Sequence, residues 1–311
     1  MWGIYDFNRW DRCKRPKNGK LVELNISNSN IKILGNLENL VNLKYLCCRN
    51  NQLTSLEGIE NLVNLKELEC DNNKLTSLEG IENLINLKKI YCSHNKLTLL
   101  ISFKKIQNLT HLFCSNNQLT SLEGIENLVG LKKFDCCYNQ LTSLKGIQNL
   151  VGLKKFDCSN NQLISLEGIE NLVNLESLFC CNNQLISLEG IENLVNLESL
   201  FCSNNQLILL EGIENLVSLK KLYCTNNQLT SLETIEIFIK LIKNLINNNN
   251  IQICLKYDII DIEDFIELKE LFDTLIHRDN DDDENYYDNE SVIKIEKMLV
   301  KLNGFQQYIL K

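Results

Sequence analysis

Cysteine carries most of the chemistry this chain could perform. Nine of its 14 cysteines (Cys48, Cys70, Cys92, Cys114, Cys136, Cys158, Cys180, Cys202, Cys224) recur every 22 residues. That spacing lays the thiols out along a line, whereas a zinc site needs ligands converging on one point. Cys47, Cys137 and Cys181 adjoin frame cysteines and could be reactive at outward positions, but no environment that lowers a thiol pKa can be read around them. The histidines, His94, His111 and His277, fall in different repeats or in the tail. No nucleophile motif, phosphate loop or paired metal spacing accompanies them. In the acidic stretch DNDDDENYYDNE, Asp279, Asp281, Asp283 and Glu290 occupy positions 1, 3, 5 and 12 of a calcium loop. Glu284 stands where the sharp turn of such a loop needs glycine, and Arg278 and Lys294 stand where the flanking helices offer apolar residues. The stretch therefore reads as a solvated loop; no catalytic residue, metal or cofactor is expected.

The elements that position these residues are set by one frame: leucine, two variable, leucine, one variable, cysteine or isoleucine, two variable, asparagine, one variable, leucine. It starts at Leu21, Leu43, Leu65, Leu87, Leu109, Leu131, Leu153, Leu175, Leu197, Leu219 and Leu241. A period of this length implies stacked turns, none able to bury its apolar face alone. In the unit LKELECDNNKLTSLEGIENLIN, alternation points Leu68 and Cys70 inward and Glu67, Glu69 and Asp71 outward, the pattern of a short strand. Leu75, Leu78, Ile81 and Leu84 are spaced by three, which predicts a tight helical or 3₁₀ turn on the other side. Slim strands on one rim and bulkier turns on the other predict a curved solenoid with a parallel sheet on its concave side.

Asn51, Asn73, Asn95, Asn117, Asn139, Asn161, Asn183, Asn205, Asn227 and Asn249 read as a polar ladder that satisfies backbone groups where the chain leaves each strand. Gly58, Gly80, Gly124, Gly146, Gly168, Gly190 and Gly212 mark a turn that needs a positive backbone angle or a close approach. Repeat four departs, with Ser102 for glycine, and leaves Leu99 and Ile101 as candidates for apolar exposure.

The frame LxxLxCxxNxLTSLEGIENLVN resembles the leucine-rich repeat family in its 22-residue form, including the regulatory subunits of type-1 protein phosphatase and bacterial internalins. With inward cysteine and abundant Asn, Lys and Ile it is also similar to leucine-rich repeat proteins of giant viruses of amoebae. The resemblance spans about Leu21 to Ile251. It implies an α/β solenoid, a right-handed superhelix with convex 3₁₀ turns, and raises by analogy a regulatory role toward a phosphatase or a ubiquitin-type enzyme. It does not specify function, because sites are placed on such scaffolds independently.

Three segments follow: an N-terminal cap (1–20) holding Trp2, Tyr5, Phe7 and Trp10, the solenoid (21–251), and a helical C-terminal cap (252–311) with the acidic loop 279–290. The net charge of −8 and pI near 5.1 argue against nucleic acid as a partner. The first residues hold no signal-peptide core and no later run approaches a membrane span, so an intracellular, cytoplasmic chain with reduced cysteines is expected. The glutamate stripe that begins Glu57, Glu60, Glu79, Glu82 reads as a solvated outer face.

The outward column between inward leucine and cysteine runs Asn25, Cys47, Glu69, Tyr91, Phe113, Asp135, Asp157, Phe179, Phe201, Tyr223, Leu245. Its aromatics flank a centre where KKFDC repeats, with Lys132, Lys133, Asp135, Lys154, Lys155 and Asp157 alternating in sign, and where His94 and Tyr138 replace asparagine just past their strands. Exposed aromatics at this density point to a protein partner, with Tyr91, Phe113, Lys133, Asp135, Tyr138, Lys155, Asp157, Phe179, Phe201 and Tyr223 as its contact surface. The competing readings are aromatics that merely stack along the sheet and an architectural spacer. The near-identity of LVNLESLFCCNNQLISLEGIEN and LVNLESLFCSNNQLILLEGIEN favours the spacer.

Overall fold

The computed structural model describes residues 20–229 apart from residue 36, together with residues 13–14, 237, 254–255 and 258–259. Most of both expected caps, Asn249 and the acidic loop lie outside the described residues. The chain divides into two compact units, Met1–Leu175 and Glu176–Lys311.

In the first unit each repeat contributes one three-residue strand: β2 (Glu23–Asn25), β3 (Tyr45–Cys47), β4 (Glu67–Glu69), β5 (Lys89–Tyr91), β6 (His111–Phe113), β7 (Lys133–Asp135) and β8 (Lys155–Asp157). They pair in parallel in strict repeat register, from Leu24↔Leu46 to Phe134↔Phe156. A short β1 (Cys13–Lys14) pairs antiparallel with β2. The second unit stacks β9 (Ser177–Phe179), β10 (Ser199–Phe201) and β11 (Lys221–Tyr223) in the same parallel register. Further along, β12 (Cys254–Leu255) and β13 (Asp258–Ile259) form an antiparallel pair.

The turn side follows from the spacing of three. Ile59 donates to the carbonyl of Leu56 (3.2 Å), Leu62 to Ile59 (2.9 Å) and Leu65 to Leu62 (2.8 Å). Successive bonds of this reach stack every third side chain on one face, so Leu56, Ile59, Leu62 and Leu65 are all fully buried. Elsewhere the turn tightens into a regular 3₁₀ helix, as at Ile147–Asn149 and Ile169–Asn171 in the first unit and Ile191–Asn193 and Ile213–Asn215 in the second. The preceding glycine is indispensable at Gly124, where φ is +109° and a Cβ would lie 2.3 Å from the Leu100 carbonyl oxygen. Repeat four has Ser102 at the glycine position; its 3₁₀ helix is Ile101–Phe103, and the Phe103 ring fills the core. Leu99 and Ile101 are each 44% exposed, as the sequence predicts.

Half of the glutamate stripe is structural rather than solvated. Glu82, Glu126 and Glu170 each accept the N–H of the glycine two residues earlier, at 2.8–2.9 Å, and are half-buried, while Glu79, Glu123 and Glu167 are exposed. A second amide ladder, which the frame did not reveal, runs beside it: Asn64, Asn86 and Asn108 donate to the carbonyls of Val41, Val63 and Ile85. Where glycine replaces that asparagine at Gly130 and Gly152, Asn127 and Asn149 donate instead, to Lys104 and Glu126.

The main asparagine ladder works as the sequence predicts. The Asn117 amide donates to the carbonyls of Cys92 (3.1 Å), Cys114 (3.0 Å) and Ser115 (3.2 Å), and its oxygen accepts the N–H of Leu97 (2.9 Å). One buried side chain thus serves backbone groups in two neighbouring repeats. The frame cysteines are also more than small hydrophobes: both the N–H (2.8 Å) and the thiol (3.4 Å) of Cys92 reach the Phe113 carbonyl on the next strand.

Two outward assignments need correction. Cys47 is buried (3% exposed), because Tyr45 and Glu69 close over it. Asp71 is 4% exposed; its Oδ1 accepts the Ser93 N–H at 3.0 Å, and its Oδ2, without a well-formed hydrogen bond, faces Arg49 Nε at 3.0 Å. Position 71 and its equivalents Ser93, Ser115 and Ser159 lie where the strand ends, so the period of two no longer applies and the side chain turns under the next loop.

Replacing Asn117 with alanine should cost about 3 kcal/mol or more, since each stranded buried polar group is worth roughly 1–3 kcal/mol. Chemical denaturation measures it, and a loss under about 1 kcal/mol would show that the ladder is dispensable. All described frame thiols and Cys47 are buried and outside any disulfide, and burial raises the pKa of Cys70, Cys92, Cys114, Cys136 and Cys202 well above the ordinary thiol value. Under native conditions at neutral pH a polar thiol reagent should leave them unmodified and reach them only in denaturant. Rapid native labelling of most of them, located by peptide mapping, would contradict the inward assignment.

Candidate functional site

On these strands the middle residue is buried and its two neighbours emerge on the open face of the sheet, Cys47 of β3 excepted, because successive side chains alternate. Parallel pairing in repeat register then lines up equivalent outward residues about 4.8 Å apart. Any pair of aromatics at the same frame position is driven into a stack.

In the first unit Tyr91 and Phe113 lie face to face, with centroids 4.9 Å apart and planes 9° from parallel. His111 tilts against the same phenyl ring at 6.3 Å; burial, then Lys133 and Lys89, depress its pKa. In the second unit Phe179, Phe201 and Tyr223 form a continuous stack at 4.5 Å per step. All five rings are half-buried. Such contacts contribute about 0.5–1.5 kcal/mol per pair, so part of the aromatic column is accounted for by stacking alone.

The charged centre differs from the expected alternation of sign. The β7–β8 register places Lys133 beside Lys155 and Asp135 beside Asp157, so charges segregate into a lysine column and an aspartate column. Lys133 and Lys155 are exposed and the two aspartates are half-buried. The Asp135 carboxylate accepts the N–H of Cys137 (3.0 Å), and that of Asp157 the N–H of Ser159 (2.9 Å). Asp135, Cys137 and Asp157 bring one potential ligand atom each within 4.8 Å of one another. Burial and the neighbouring Asp135 carboxylate push the Cys137 thiol well above its ordinary value, so it is a protonated hydrogen-bond donor, and two hard oxygens with one soft sulfur suit no single metal class well. Cys181 is likewise half-buried.

Tyr138 and His94 take the frame's left-handed position, at φ 53° and 54°, where seven of the equivalent positions from residue 50 to residue 226 hold asparagine. That conformation is uncommon for an aromatic side chain. It turns the Tyr138 ring out to 55% exposure, beside the aspartate column at the end of β7. Among the described residues the structure thus brings Lys133, Asp135, Tyr138, Lys155 and Asp157 into one neighbourhood and Tyr91 with Phe113 into another. Both are in the first unit, while Phe179, Phe201 and Tyr223 are together in the second.

Two features of this face escaped the sequence reading. Arg49 crosses to Glu69 (3.3 Å) and Asp71 (3.0 Å), and Lys89 pairs with Glu67 (3.3 Å). Opposite charges one frame apart would have revealed the Lys89–Glu67 and Arg49–Asp71 pairs; the Arg49–Glu69 pair spans different frame positions and needs the folded geometry.

Asp157 gives a pH test. Burial, and secondarily Asp135, raise its pKa above that of the unfolded chain, against hydrogen bonds from Ser159 that lower it. The folded state therefore binds this proton more tightly, and stability falls as pH rises through the folded pKa. Asp157→Asn should raise the melting temperature at pH 7, and the gain should vanish on acidification below the ordinary carboxylate range. Parallel melting curves for parent and variant across that window would refute the assignment.

Models of the leucine-rich repeat family (two copies each) match residues 63–105, 107–152, 151–193 and 195–237. No curated protein matches the chain. Among solved structures it is similar to an internalin (inlF) of Listeria monocytogenes, at 22% identity and a TM-score of 0.58 over 68% of this chain and 70% of that one. It is similar to internalin C2 (inlC2) of the same organism, at 25% identity and a TM-score of 0.57 over 64% of this chain and 84% of that one. The plant peptide hormone receptor RGFR1, solved in complex with RGF2, is 20% identical with a TM-score of 0.54, over 61% of this chain and 33% of that one. No helix among the described residues is long and apolar enough to cross a membrane. With the family's repeats matched over more than half of its length and its strand-and-turn unit formed at every matched position described, the chain belongs to the leucine-rich repeat family.

Proposed function

We propose that this protein is a non-enzymatic scaffold that binds a protein partner through the open face of its sheet. The observation that carries the reading is the three-ring stack of Phe179, Phe201 and Tyr223, half-buried on a face whose neighbouring positions are polar. Stacking covers the ring faces and leaves their edges toward solvent, a broad apolar strip of the kind that anchors interfaces. Tyr91 with Phe113 is a smaller strip of the same kind, and the lysine and aspartate columns with Tyr138 supply polar contacts that would orient a partner. The repeating frame does not fix the residue type at these outward positions, which is where recognition can be placed without disturbing the core.

The second reading, an architectural spacer without a dedicated ligand, draws on the near-identical repeats beginning at Leu172 and Leu194. A photo-crosslinking residue at position 201 would capture the partner for identification. Phe179→Ala with Phe201→Ala should then weaken its binding by more than about 2 kcal/mol, roughly thirty-fold. Leu178→Ala, by contrast, should cost about 2–5 kcal/mol of folding stability, as a buried core residue. A double alanine variant that melts far below the parent yet retains full binding would assign the rings to the scaffold and favour the spacer.

A further inference from the structure

The turns of the second unit carry a substitution pattern unrelated to the aromatic face. Where the frame sets threonine in five repeats of the first unit (Thr54, Thr76, Thr98, Thr120, Thr142), this unit has Ile186 and Ile208 in successive repeats, an exchange the first unit makes once, at Ile164. Where the next residue is serine, as at Ser55, Ser77 and Ser121, it has Leu209 in one repeat, directly after Ile208, whereas the first unit's Leu99 follows a threonine. The exchanges add nothing comparable to core packing, since Ile186 is 59% exposed and Ile208 53%. Two isoleucines of successive turns therefore meet water, with the half-buried Leu209 beside them, and adjacent exposed apolar side chains of this kind mark a surface that meets something else.

They line an open groove of about 610 Å³ between two successive turns. Its other lining residues include four carboxylates, Glu189, Glu192, Glu211 and Glu214, and no lysine or arginine. Glu192 and Glu214 are held against the turn because each accepts the N–H of the glycine two residues earlier, both at 2.9 Å, while Glu189 and Glu211 stand exposed. The groove thus combines an apolar floor with four negative charges on its walls. That charge repels nucleic acid and anionic membrane surfaces. It complements a polypeptide that buries a branched apolar side chain and brings lysine or arginine to either side, since the cation's alkyl stem also packs on apolar surface.

We propose that this groove docks a basic-hydrophobic segment of a partner protein, independently of the aromatic face. The test uses the full chain and fluorescein-labelled peptides in which lysine and leucine alternate, followed by fluorescence anisotropy. Versions with glutamate for lysine, or serine for leucine, should bind at least about ten-fold more weakly. The triple variant Ile186→Thr, Ile208→Thr, Leu209→Ser restores residues that other repeats carry at the same positions, so it keeps the fold. It should lose binding by about ten-fold or more. Glu189→Gln with Glu211→Gln should weaken binding and flatten its salt dependence, whereas Glu57→Gln with Glu79→Gln, in the first unit, should change neither. The proposal is overturned if the triple variant binds like the parent, if the glutamate–leucine peptide binds equally well, or if the first-unit glutamates matter as much as Glu189 and Glu211. It is also overturned if sedimentation shows a self-associating parent that the triple variant converts to monomer, which would make a second copy of this chain the occupant.

Discussion

The structure depends on one buried amide per repeat. A chain that leaves a three-residue strand to turn back over its own core strands carbonyls and an N–H away from water, and leaving them unpaired would cost more than the turn's leucines recover. Asparagine resolves this with a single side chain: Asn95 ties the Leu75 N–H to the carbonyls of Cys70, Cys92 and Ser93, and Asn139 does the same two repeats on for its own neighbours. Because each amide reaches into the preceding repeat, no repeat is satisfied alone. That mutual dependence, together with the shared leucine core, is why the period cannot drift.

Strict register has consequences on the surface. Equivalent side chains of neighbouring repeats are forced side by side, so likes meet likes: phenyl on phenyl along the second unit, aspartate beside aspartate between β7 and β8. The first arrangement is favourable and gives a continuous apolar strip. The second is unfavourable, and it raises the Asp157 pKa alongside burial. A repeat fold therefore amplifies any residue placed at an outward position, for good or ill, into a column. Recognition surfaces on such a scaffold come as stripes rather than as points.

The turn side obeys the same rule with different chemistry. Glutamates two residues past most of the turn glycines are held by the backbone, with the neutral Gln148 in that place after Gly146, so negative charge is built into most of these turns, and the local choice between threonine and isoleucine decides whether that charge borders a polar or an apolar groove. Strand face and turn side can thus diverge in function without competing for the same residues.

The repeat period, the inward leucines and cysteines, the asparagine ladder and the positive-φ glycines were legible in the sequence alone. Each is a demand of the backbone or of the core that recurs at one frame position, and repetition makes such demands visible. The stacking of Tyr91 on Phe113 was foreseeable as a possibility, since equal frame positions must meet. Only the tertiary structure decided what happens where strand periodicity ends: Asp71, two residues beyond β4, follows the turn and not the pleat, and Cys47, the last residue of β3, is covered by Tyr45 and Glu69, so both are buried rather than exposed. It also decided that Lys133 and Asp135 form separate columns, and that Ile186, Ile208 and Leu209 share one groove with four carboxylates. Those outcomes depend on which residues of neighbouring turns meet in space, and that distance is set by packing between repeats rather than by the pattern within one.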